Sequence, residues 1–321
     1  MRRALFLLLV APVVSVYACT SSDSNGLGSD DDIGPGSDAS TTGDGSLVDS
    51  VAPSSDGSVM LADGGRDLGT DTTKFFGVSR CATAGVLLCD GFENATLDTA
   101  TWKVSGDTPV VDNVHAARGN TALHITKHLN GQSYIKETKT FPIANNSYFG
   151  RAFVWFEKLP VPEPPSAAMD AGFKYSHWSF VAASGTVVDG EIRLSGQLSN
   201  GANHFGVGTD NRTQDAGTGD WTNSDDDPTG HPLAVPTGKW VCVEWQHSGA
   251  TNETRFYWDG AEHTSLYTSA TKHGGIAANP YILPQFTNVW IGWQEYQPTD
   301  EDFEMWVDEV AIDTARIGCV L

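Results

Sequence analysis

The stretch Glu191-Ile192-Arg193-Leu194-Ser195-Gly196-Gln197-Leu198-Ser199 carries apolar or small residues at its even positions and polar ones at its odd positions. A period of two puts Ile192, Leu194, Gly196 and Leu198 on one face of an extended strand and Glu191, Arg193, Ser195, Gln197 and Ser199 on the other. The alternation recurs outward from it. Val241, Val243 and Trp245 alternate with Trp240, Cys242, Glu244 and Gln246, and Val289, Ile291 and Trp293 with Trp290, Gly292, Gln294 and Tyr296. Phe256-Tyr257-Trp258 runs into Asp259-Gly260, a hairpin-type turn, and residues 303–313 alternate again. No run of twelve or more residues has a convincing 3.6 period. Many short antiparallel strands divided by Gly, Asn and Pro predict an all-β chain, a β-sandwich of the jelly-roll type made of two packed antiparallel sheets.

These strands lie in residues 74–321, which hold all ten Trp of the chain. Residues 1–18 read as a leader: Arg2 and Arg3 form a positive n-region, Ala4 to Val14 an apolar core, and Val16-Tyr17-Ala18-Cys19 a lipobox. Cleavage before Cys19 and acylation of its thiol and amino group would give a lipoprotein held by more than one chain, which is what stable anchoring takes. The apolar run is too short for a spanning helix. The rival is an ordinary secretory signal. Residues 19–73 are Ser-, Asp-, Gly- and Thr-rich, with eleven Asp against one Arg. Such a segment cannot bury enough surface to order itself and reads as a disordered tether, about 40 Å in reach.

Residues 74–321 carry 16 basic against 29 acidic side chains, a net charge of −13. Nucleic acid is excluded as a partner, since nothing would neutralise its phosphates. The membrane enters only through the lipid anchor, and no sequence feature calls for more than a monomer. Cys81, Cys89, Cys242 and Cys319 predict two disulfides in an exported domain, with three connectivities open. Zinc is disfavoured because no close CxxC or HxxxH pair occurs.

Polar side chains on the Arg193 face, together with Trp240, Glu244, Gln246, Trp290, Gln294 and Tyr296 opposite the aliphatic residues of their strands, suggest a carbohydrate cleft. Flat rings cover the apolar faces of pyranoses, and amides and charged groups satisfy hydroxyls that would otherwise be desolvated unpaired. Core burial is the plainer reading of any single Trp.

The strings CDGFENATLDTATW, FGRAFVWF, HWSF, EIRLSGQ, GKWVCVEWQ, NETRFYWDG, WIGWQEY and MWVDEVAIDTARIGC, spanning Cys89 to Cys319, resemble the core domain of the Cip-type proteins. That family is named for cellulose-induced fungal proteins, includes bacterial lipoproteins, and is grouped with polysaccharide-lyase-like, concanavalin A-like jelly rolls. The resemblance implies a structural calcium ion at Glu93 and Asp308, with Asn120 as third contributor, oxygen ligands of the kind calcium takes. On alternation alone, Asp308 shares a face with Trp306 and Val310, where a carboxylate needs a partner.

The resemblance also implies a polysaccharide lyase site. Arg193 and Gln197 match the family's Arg and Gln; they would hold a uronate carboxylate, with Asn203 or Gln246 assisting. His177 is the candidate base and Tyr296 the candidate acid, supplying the proton transfers that β-elimination requires. Asp210 is a possible further equivalent. The net charge of −13 opposes a polyuronate and favours a neutral glycan. A glycoside hydrolase lacks its clustered ExDxxE carboxylates here, and no GxSxG string supports a serine hydrolase. The alternative to catalysis is a lectin-like module that binds polysaccharide at the surface of a bacterial cell, on the outer membrane where the organism has one.

Overall fold

A computed structural model describes residues 66–127, 131–160, 177–186, 190–199, 202–211, 221–223, 234–273, 281–295 and 303–321. The leader, Cys19, Tyr296 and most of the tether lie outside the described residues. So do the side chains of His177, Gln197 and Asp210, although their strand positions are described.

The strands in chain order are β1 (Leu88–Asp90), β2 (Trp102–Gly106), β3 (Val110–Asp112), β4 (Ala122–Lys127), β5 (Gln132–Glu137), β6 (Ser147–Lys158), β7 (His177–Thr186) and β8 (Gly190–Ser199). They continue as β9 (Ala202–Asn211), β10 (Trp221–Asn223), β11 (Trp240–Ser248), β12 (Glu253–Trp258), β13 (Ala261–Glu262), β14 (Gln285–Glu295) and β15 (Phe303–Asp313). One sheet of eight strands runs β13-β12-β11-β6-β15-β4-β3, with β1 also on β15. The other, of seven, runs β10-β9-β8-β7-β14-β5-β2, and all pairings within strands are antiparallel. This is the jelly-roll sandwich of two antiparallel sheets that the period of two predicts.

The inward side chains make one apolar cluster between the sheets, including Ile192, Leu194, Phe205 and Val207 from one sheet and Val154, Val243, Trp245 and Val307 from the other. Gly196 sits at an inward position because it faces the ring of Trp178 on the paired strand. A Cβ there would lie 1.9 Å from the ring's Cζ2. Gly150 makes the same room for Trp245.

In β15 the alternation changes phase. Asp308 pairs with Phe153 and Ala311 with Arg151, so β15 carries one more residue than β6 over this span, and Glu309 takes a positive φ of 48°. This is a β-bulge. Val307 and then Val310 face the core, while Trp306, Asp308 and then Glu309 face outward. The expectation that Asp308 and Val310 share a face is corrected accordingly.

Part of the outer face of the eight-stranded sheet is covered by the segment around Phe75 and by the tail around Cys319. Phe75, Ala117, Phe153, Cys242 and Cys319 form a second buried cluster there. The disulfides are Cys81–Cys89 and Cys242–Cys319. Arg66 pairs with Asp313 at 2.6 Å, so the packed chain reaches back to Arg66, and residues 66–73 are part of the folded body rather than of the tether.

Candidate functional site

Cross-strand register lays out the outer face of the seven-stranded sheet. One row runs His177, Gln197, His204 over β7, β8 and β9. The next runs Gln294, Ser179, Ser195, Gly206 over β14 to β9, and a third Trp290, Ala182, Arg193, Gly208. Ser179 and Ser195 are buried and share a hydrogen bond of 2.8 Å between their hydroxyls. The small residues Ala182, Ser179, Ser195, Gly206 and Gly208 therefore make a low floor. Along one side it is bounded by larger side chains.

That side is a chain of contacts. Lys136 Nζ lies 5.9 Å from the centroid of Tyr134, which stacks on Trp290 at 4.5 Å. Trp290 Nε1 donates to Glu191 Oε1 at 3.3 Å, and Arg193 Nε donates to Glu191 Oε2 at 3.1 Å. Trp290 is fully buried, so it braces the wall instead of offering its face to a sugar. Gln294 is half-buried on the same outer face.

Three of the expected binding residues stand elsewhere. Trp240, Glu244 and Gln246 are on β11, in the eight-stranded sheet, so they share no cleft with Arg193. Glu244 is buried and accepts from Arg316 Nη2 at 2.7 Å and from the Gly318 amide at 2.8 Å, which makes it an anchor for the C-terminal tail. Asn203 points to the core side of β9. Its Oδ1 accepts from Trp178 Nε1 at 2.9 Å and its Nδ2 donates to the Pro160 carbonyl at 2.8 Å. Both of its polar ends are thus held within the fold.

His204 was not among the expected residues. It is 3% exposed and stands at the register position beside Gln197. The alternation of Phe205 and Val207 inward with His204, Gly206 and Gly208 outward is the signal that finds it.

The residues expected to hold calcium grip one loop. Glu93 accepts the Asn120 amide on Oε1 at 2.9 Å, the Thr121 amide at 3.3 Å, and Asn120 Nδ2 on Oε2 at 3.3 Å. Asp308 Oδ2 accepts the Ala117 and Arg118 amides, both at 2.9 Å, and Oδ1 accepts the Glu309 amide at 2.6 Å. Burial, with the neighbouring Glu309 charge adding to it, pushes the Asp308 carboxyl up to about 7. A carboxylate offers about four acceptor positions, so Oδ1 of Asp308 keeps capacity, and Asn120 Oδ1 adds a neutral oxygen. The donors suit a hard, oxygen-seeking cation. The Cys81, Cys89 and Glu309 group does not, because its sulfurs are joined in a disulfide.

No family model matches the chain, and no curated protein matches it. Among solved structures it is similar to the cellulose-induced protein Cip1, at 17% identity and a TM-score of 0.49, over 72% of this chain and 99% of that one. It is also similar to the binding domain of botulinum neurotoxin serotype G, at 10% identity and a TM-score of 0.41, over 73% of this chain and 49% of that one. A xylan-binding domain from Paenibacillus barcinonensis aligns at 15% identity and a TM-score of 0.33, over 72% of this chain and 95% of that one.

Proposed function

We propose that the domain binds a polysaccharide across the outer face of its seven-stranded sheet. The observation that carries this reading is the run of small residues Ser179, Ala182, Ser195, Gly206 and Gly208 on that face, with Glu191, Arg193 and Gln294 beside it in register. A neutral glycan suits it better than a polyuronate, because the Arg193 guanidinium is already neutralised by Glu191 at 3.1 Å. The test is titration of the purified protein with soluble glycans. Arg193→Ala and Gln197→Ala should each weaken binding about tenfold or more, the effect of losing a charged or bidentate hydrogen bond of roughly 1.5 to 3 kcal/mol. Unchanged affinity in both variants would remove the trough as the site.

The second reading is β-elimination on a uronate. It is favoured by the row positions of His177, Gln197 and His204 on the same face as Arg193, with the Ser179–Ser195 row between them, since imidazole and guanidinium are the groups that proton abstraction next to a carboxylate uses. Ultraviolet absorbance of an unsaturated uronate, formed by the wild type and not by Arg193→Ala, would select it.

The domain is taken to carry a structural calcium ion at Glu93, Asn120 and Asp308. The chain is taken to be an exported bacterial lipoprotein acylated at Cys19, its folded part displayed on the cell surface. Support for the anchor is the order of Arg2 and Arg3, the apolar run and the lipobox. Labelled palmitate should enter the wild type and not Cys19→Ala.

A further inference from the structure

The outer face of the eight-stranded sheet carries an aromatic ladder. Pairing aligns His124, Trp306, Trp155 and Trp240 across β4, β15, β6 and β11. His124 stacks on Trp306 at 4.0 Å, and Trp155 meets Trp240 edge to face at 5.9 Å. The ladder is fixed in place. Asp112 and Glu304 hold the two nitrogens of His124 at 2.6 and 2.9 Å, and Asp112 also accepts from Trp306 Nε1 at 2.9 Å. Glu157 accepts from Trp155 Nε1 at 2.9 Å, and His115 stacks on the Trp155 ring at 4.0 Å.

At its Trp240 end the ladder opens into a cavity of about 430 Å³ lined by Thr72, Phe76, Trp155, Lys239, Trp240 and Asp259, among others. That volume lies in the range of small-ligand sites. Trp155 and Trp240 meet at 68° and form an apolar corner, and Phe76 is 41% exposed. The polar groups are of both signs. Lys239 brings a cation; Asp259, held by the Cys242 amide at 2.9 Å and by Trp258, keeps acceptor capacity. Beneath them the Cys242–Cys319 disulfide fixes the strand two residues beyond Trp240.

We propose that this cavity is a second sugar subsite, taking one neutral pyranose unit of a polysaccharide against the Trp155–Trp240 corner. Balanced charge disfavours a strongly anionic or cationic ligand, and an aromatic corner with separated donors and acceptors matches the apolar face and hydroxyl rim of a pyranose. The inference rests on the carbohydrate reading for its ligand class, but stands on the opposite sheet from the Arg193 trough.

The test is electrophoresis of the full chain through native gels cast with soluble xylan, mixed-linkage β-glucan or galactomannan. Trp240→Ala should lose at least tenfold in affinity. Lys239→Ala, which alters only an exposed side chain, should lose severalfold with its melting temperature unchanged, so a folding defect in Trp240→Ala cannot mimic the result. Wild-type affinity in both variants overturns the subsite. Loss in Arg193→Ala with none in the other two leaves the trough standing and this subsite overturned; the reverse pattern does the opposite. A wild type retarded by none of the three polysaccharides overturns both.

Discussion

The Arg151 guanidinium lies 3.2 Å from the Glu309 carboxylate, and neither side chain is exposed at all. Arg118 reaches the same carboxylate at 3.0 Å, and both arginines also donate to the Leu321 carbonyl. Burial, together with the nearby Arg118, pulls the Arg151 guanidinium down to about 10. Glu309 is the carboxylate that both buried cations touch, with Asp308 adding negative charge nearby. Glu309→Gln should therefore cost about 3 to 5 kcal/mol, the range for breaking a buried ion pair from one side. Denaturant midpoints measure it, and a loss below about 1 kcal/mol would show that water reaches these arginines.

Gly196→Ala is expected to destabilise the sandwich, because the new methyl would lie 1.9 Å from the Trp178 ring. Overpacking of this kind costs roughly 1 to 3 kcal/mol. Trp178 in turn stacks on Trp293 at 4.8 Å, so near-ultraviolet circular dichroism should change along with the melting temperature. A variant as stable as the wild type with an unchanged spectrum would contradict the packing described.

His247 gives the fold an acid limit. Burial pushes its imidazole down from 6.5 to about 3, where it sits against Phe286 and bonds Thr254 Oγ1 at 3.0 Å. The unfolded chain takes up this proton below about pH 6.5 and the folded chain does not, so the stability is present above 6.5 and is lost as pH falls toward 3. The slope from this one group is about 1.4 kcal/mol per pH unit at most. His247→Phe leaves Thr254 bonded to Tyr281 and should flatten the curve between pH 6 and 4. Parallel curves for the two proteins would assign acid unfolding to other groups.

Calcium should raise the melting temperature near neutral pH, where Asp308 is forced to ionise in a buried position. Ions that bind only the folded state stabilise it by mass action. The increment should vanish on chelation and be absent in Asp308→Asn. Identical melting with and without calcium would eliminate the ion.

Alternation makes the strands and their inward faces readable, since Leu194, Val243 and Ile291 do lie between the sheets. It tells which side of a strand a residue occupies but not which sheet the strand joins. Trp240 and Trp290 are both opposite aliphatic neighbours, yet one faces out from each sheet. Asn203 shows a second limit: it has the parity of Phe205 and Val207, and its amide is satisfied by Trp178 and Pro160, partners remote in sequence. The disulfide pairing likewise depends on where the C-terminal tail docks, which Glu244 and Arg316 decide through a contact spanning two elements. Gly196 carried its own clue, a gap in an apolar row where a larger ring must fit.

The extra residue in β15 acts as a frameshift in a script read two letters at a time. Upstream of it the outward residues are Glu304, Trp306 and Asp308, of which Trp306 is this strand's rung of the aromatic ladder; downstream comes Glu309 with its ion cluster. Deleting Glu309 would leave Asp308, Val310 and Ala311 opposite Phe153, Ala152 and Arg151 in unbroken alternation, so the other β15 side chains would keep their faces and only the carboxylate shared by Arg118 and Arg151 would be lost. The bulge is thus what lets β15 present two carboxylates in a row on one face, Asp308 to the Ala117 and Arg118 amides and Glu309 to the two arginines.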